Sequence, residues 1–107
     1  MPHSLNNIQE VTLTAADIAA GKFTDWFSIN DKFTARIVST GGQFTGEVVV
    51  QRRNEESDTN IGVVRRYTID DEEAGESKLT SAMEYRIGAV AGALITVPGS
   101  LYLALIK

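Results

Sequence analysis

Few residues in this chain have the chemistry for catalysis. His3 is the sole histidine, and it sits in a polar opening stretch, Met1 to Asn7. A Ser-His-Asp arrangement needs its imidazole held rigidly beside the nucleophile, which a residue in such an arm does not provide. There is no cysteine, so thiolate chemistry, disulfides and cysteine-based zinc sites are excluded. The acidic run Asp70, Asp71, Glu72, Glu73 and Glu76, with Gly75 inside it, has the oxygen ligands a calcium ion wants. It lacks the alternating Asp-x-Asp-x-Asp-Gly spacing of a calcium loop and reads instead as a solvated acidic loop over Asp70 to Lys78. No metal, cofactor or catalytic residue is expected, and the chain is read as a binding protein rather than an enzyme.

Residues suited to binding are more plentiful. Two arginine pairs, Arg52-Arg53 and Arg65-Arg66, fall in segments of strand character. Consecutive strand residues point to opposite faces, so one arginine of each pair should lie on the core side or its rim. Such a charge must be paired or reach water. Ion pairs within the chain to Glu47, Glu55 or Glu84 are one reading; a basic stripe gripping a partner's carboxylates is the other. Phe23, Trp26 and Phe27 lie close together; at least two are expected to plug one end of the fold, whereas a surface strip of them would stack on sugar rings. The run Ala89 to Val97 is apolar where a polar loop is expected. Either Leu94, Ile95 and Val97 protrude as a contact patch, or they form a further buried strand. Residues 1–10 read as an extended arm, either unordered or strapped over a neighbouring subunit through Leu5 and Ile8.

The elements that must position these residues follow from composition and periodicity. The chain has 107 residues, 43% hydrophobic and 22% charged, which suits one globular domain, here 11–107 after the arm. Its formal charge of −4 makes it a poor ligand for nucleic acid. No basic flank followed by an apolar stretch opens the sequence, so a signal peptide is not expected, and the apolar run Ile87 to Val97, broken by two glycines, is too short for a membrane span. Period-two alternation predicts strands over Val11 to Thr14, Lys32 to Ser39, Phe44 to Arg53, Ile61 to Ile69, Met83 to Val90 and Ser100 to Lys107. In the fourth of these, Ile61, Val63, Tyr67 and Ile69 are expected to share one face. Gly41-Gly42 reads as a hairpin turn and Asn30-Asp31 as another. The one helical signal is a turn over 15–20 that ends at Gly21. No crossover helices are available for parallel strands, so the expectation is all-β: a single antiparallel β-sandwich of seven to eight strands. Jelly-roll and immunoglobulin-like connectivity both fit the alternation.

Several stretches share a rhythm with one group of proteins. Phe44-Thr45-Gly46-Glu47-Val48-Val49-Val50-Gln51-Arg52 is followed by Arg66-Tyr67-Thr68, Tyr85-Arg86-Ile87-Gly88 and Gly99-Ser100-Leu101-Tyr102-Leu103, with Leu13-Thr14-Ala15-Ala16-Asp17 at the start. Together these resemble small β-sandwich structural proteins of tailed bacteriophages, over most of the chain from Val11 onward. The resemblance implies a virion role, by size a capsid decoration (cement) protein that binds major capsid protein subunits on the capsid exterior after synthesis in the host cytoplasm. It also implies self-association as a dimer or trimer and brings no catalytic residues. A tail, baseplate or fibre component, or a non-viral carbohydrate-binding sandwich, is the alternative.

Overall fold

The computed structural model of the protein describes residues 8–14, 17, 21–29, 32–54, 61–76, 83–90 and 95–107. Among them are eight strands: β1 (Ile8–Leu13), β2 (Phe27–Ile29), β3 (Lys32–Ser39), β4 (Val48–Arg53), β5 (Gly62–Tyr67), β6 (Asp71–Glu76), β7 (Met83–Gly88) and β8 (Leu101–Ile106). They form two antiparallel sheets, the first in the order β1-β8-β3-β6 and the second in the order β2-β7-β4-β5. The all-β sandwich expected from alternation is therefore the observed architecture.

The pairs β1·β8, β2·β7, β3·β6 and β4·β5 nest inside one another, as in one long hairpin rolled up so that alternate stretches fall in alternate sheets. Of the two connectivities that alternation allows, this nesting is the jelly-roll one. It also corrects the Gly41-Gly42 hairpin. β3 and β4 lie in different sheets, so these glycines, with φ of 80° and 135°, carry the chain across the sandwich instead of turning it back.

Inward residues of both sheets make one core. Leu13, Phe33, Ala35, Ile37, Leu101, Leu103 and Leu105 face across to Phe27, Ile29, Val48, Val50, Tyr67, Met83, Tyr85 and Ile87. The rings of Phe33 and Tyr85 meet between the sheets with centroids 5.5 Å apart. β3 keeps the expected limits, with Phe33, Ala35 and Ile37 all buried.

Other elements depart from expectation for identifiable reasons. β1 begins at Ile8, three residues early, because Ile8, Gln9 and Glu10 continue the ladder to Ile106, Leu105 and Ala104. β4 begins only at Val48; before it, Gly46 has φ of 110° and Thr45 makes an isolated bridge to Thr96. In β5 the partner register slips between Val50 and Gln51, so Val50 opposes Arg65 while Gln51 opposes Val63. Val64 is the extra residue of that β-bulge, and it packs against the core. The bulge breaks the alternation, so Ile61 is 42% exposed rather than sharing the buried face of Tyr67, while Ile69 lies beyond the end of β5 and is 61% exposed.

The acidic loop is the largest correction. Asp71–Glu76 is a strand at the edge of the first sheet, with Ala35 opposite Glu73 and Lys32 opposite Glu76. Arg36 binds Glu72 at 2.8 Å, and the Asp70 carboxylate accepts the Ser39 N–H and hydroxyl at 3.0 and 2.8 Å, which seats the start of this strand against the end of β3. Of the helical turn expected over 15–20 only Asp17 is described; it is helical and accepts hydrogen bonds from the Thr14 N–H and hydroxyl. Gly21 follows with φ of 76°, the left-handed conformation of a helix-terminating glycine. The Asn30-Asp31 turn lies outside the described residues.

Candidate functional site: an arginine and aromatic patch on the second sheet

The edge of the second sheet is interrupted, and the interruption builds the patch. Lys22 to Thr24 run along β7, where Ala89 donates to the Lys22 carbonyl (3.1 Å) and Thr24 N–H to the Ile87 carbonyl (3.0 Å). Ile87 N–H is then satisfied not by a backbone carbonyl but by the buried Thr24 hydroxyl at 3.1 Å. Pairing resumes only at Phe27, opposite Tyr85. The two residues between, Asp25 and Trp26, are freed from the ladder, and Trp26 meets the outward arginines of β4 and β7.

Tyr85 and Ile87 point into the core, so Glu84 and Arg86 point out, as do Gln51 and Arg53 opposite them. Arg53 lies 4.2 Å over the Trp26 ring and binds Glu84 at 2.7 Å. Arg86 lies 4.1 Å over Phe23 and 4.5 Å over Trp26. Its Nε donates to the Gln51 amide oxygen at 2.9 Å. A neutral amide thus stands where Arg53 has a carboxylate, and among the described residues no carboxylate is within ion-pair distance of Arg86. Burial, and secondarily the charge of Arg53, pulls the Arg86 guanidinium below the usual arginine range. Such a half-desolvated cation against aromatic faces is arranged to take an anionic group in a partly dry setting. Tryptophan and arginine are also the side chains that dominate binding hot spots.

The residues marked by sequence are dispersed. Arg53 belongs to the patch. Arg66 pairs with Glu47 at 3.3 Å on the exposed surface. Arg65 pairs with Glu73 at 3.3 Å, and the Tyr67 hydroxyl donates to the same carboxylate oxygen at 2.8 Å. That clasp joins β5 to β6 and so ties the open edges of the two sheets together. Burial and the Glu73 carboxylate raise the Tyr67 hydroxyl well above the ordinary tyrosine value. Arg52 lines a recess of about 280 Å³ between the sheets, together with Phe33, Val64, Arg65 and Tyr85. Arg52 and Arg65 are the inward-register members of their pairs.

Val97 is buried in the core and Ile95 packs against it, while Thr96 and Thr45 exchange backbone hydrogen bonds of 2.9 and 3.0 Å. Ile8 is partly buried in β1, opposite Ile106. Leu94 and Leu5 lie outside the described residues. Asp71, Glu72 and Glu73 follow one another along β6, so their carboxylates alternate between faces rather than converge, and no group of three metal-ligating side chains occurs among the described residues. Phe27 is buried as a plug, but Phe23 and Trp26 are only half-buried beneath guanidinium groups. Arg86 was missed by sequence reasoning, although its place between inward Tyr85 and Ile87 already marks it as outward.

No known protein family, curated protein or solved structure matches the chain.

Proposed function

We propose that the chain is a non-catalytic structural protein that works by docking onto another protein, with the outer face of the second sheet as its contact surface. The observation that carries this reading is Arg86, stacked on Phe23 and Trp26 with an amide in place of a carboxylate. A partner that offers a carboxylate to Arg86 and an apolar side chain to the edges of the two rings would complete the set. The resemblance to phage structural proteins makes that partner the major capsid protein and the role that of a decoration protein on the capsid exterior. Many symmetry-related copies would then turn a modest single contact into firm attachment.

The test is copy number in particles purified from the source. A decoration protein appears at a number near that of the shell subunit; a far smaller number points to the tail, and absence from the particle ends the virion reading. On the decoration reading, Arg86→Gln and Trp26→Ala should each weaken attachment at least about tenfold, as loss of a hot-spot side chain does. A glycan that quenches Trp26 fluorescence would instead favour a sugar-binding sandwich.

A further inference from the structure

Each sheet has two outer strands, and three of these four edges carry a feature that discourages pairing with another chain. β2 is three residues long and its line is broken between Thr24 and Phe27. β5 is bulged at Val64 and bears the exposed Arg65 and Arg66. β6 carries Asp71, Glu72 and Glu73 in succession. β1 has none of this. Its ladder from Ile8 to Leu13 is unbroken, it contains no glycine, proline or basic residue, and no described strand pairs with its other edge. Its one charge, Glu10, is engaged by the Tyr102 hydroxyl of β8. Val11 is only partly buried against the core, although it shares the inward face with Leu13.

We infer that β1 is the self-association edge of this protein: it pairs antiparallel with β1 of a second copy, centred on Val11. Two centrings, on Glu10 and on Val11, keep five of the six strand residues paired, and the sequence of the strand selects between them. A dyad normal to the sheet keeps inward residues opposite inward ones only if it passes through a residue. Centring on Glu10 sets Glu10 against its own copy, and like charges directly opposite are destabilising. Centring on Val11 sets Val11 against Val11, Glu10 against Thr12, and Gln9 against Leu13, with no charge facing its like. Both Val11 side chains are then covered, and the two first sheets become one continuous sheet. The inference does not depend on the partner proposed for the second sheet, since the edge and that patch lie on different sheets.

Analytical ultracentrifugation of the full chain over a range of concentrations tests it, with variants at Thr12, which is exposed. The parent should show a concentration-dependent dimer. Thr12→Glu places two new Glu–Glu pairs across the dyad and should raise the dissociation constant about tenfold; Thr12→Lys creates two Glu–Lys pairs and should lower it. The chain has no cysteine, so Val11→Cys should form an intermolecular disulfide on mild oxidation, while Glu72→Cys on β6 should not. A parent that stays monomeric throughout, or a dimer indifferent to the sign of charge at position 12, overturns the inference. Either result would leave the capsid copy-number test untouched.

Discussion

At the scale of single residues, Gly88 and Tyr67 show two ways in which one side chain governs the sandwich. A Cβ on Gly88 would stand 2.3 Å from the Lys22 carbonyl oxygen and 2.6 Å from the Phe23 Cα, both backbone atoms that cannot rotate away. Gly88→Ala should therefore destabilise the fold by about 3 kcal/mol or more in urea unfolding, at the upper end for overpacking. Gly75→Ala meets the Phe33 ring instead, at 2.6 Å, and should be milder because a ring can shift. Tyr67→Phe removes the hydroxyl that donates to Glu73 and should cost about 1.5–3 kcal/mol near neutral pH, the range for a hydrogen bond to a charged group. Tyr67 and Tyr102 both have hydroxyls raised above the ordinary tyrosine value in the folded protein. Their contribution is complete below the unfolded value of about 10 and is lost as pH climbs through the folded values. The gap in stability between parent and Tyr67→Phe should accordingly hold steady below about pH 10 and narrow as the pH rises beyond it in urea titrations.

At the scale of elements, alternation identified strands wherever one face is buried and the other is wet. β3 is the clearest case, since Phe33, Ala35 and Ile37 all face the core. β6 was not legible because its stability comes from its neighbour. Its carboxylates find Arg36 on β3, and Gly75 makes room for Phe33, none of which a local apolar pattern records. β5 was half legible, since a bulge shifts the period without announcing itself in residue type. For the candidate site, the outward setting of Arg53 could be read from alternation, as could that of Arg86. The stacking of Trp26 could not, because it depends on the Thr24 hydroxyl replacing a ladder carbonyl. Because Asp70 holds the entry to β6, Asp70→Ala leaves Ser39 N–H without its acceptor. It should cost about 1–3 kcal/mol and raise amide exchange first along β6, as hydrogen-exchange mass spectrometry would show.

At the scale of the whole molecule, pattern fixes faces but not partners, so the sandwich was readable and its nested pairing was not. Ile8 meets Ile106, and among the described strands only β4 and β5 are neighbours both in sequence and in a sheet. So many distant pairings must close together that folding should be slow for a domain of this size, in milliseconds to seconds by stopped-flow fluorescence of Trp26.

The same nesting has a practical corollary. Because the outermost ladder joins the first described strand to the last, with Ile8 beside Ile106, the chain enters the sandwich and leaves it at one pole of the molecule. A short peptide that joins Lys107 directly to Ile8 should therefore yield a circularised sandwich that keeps its shape.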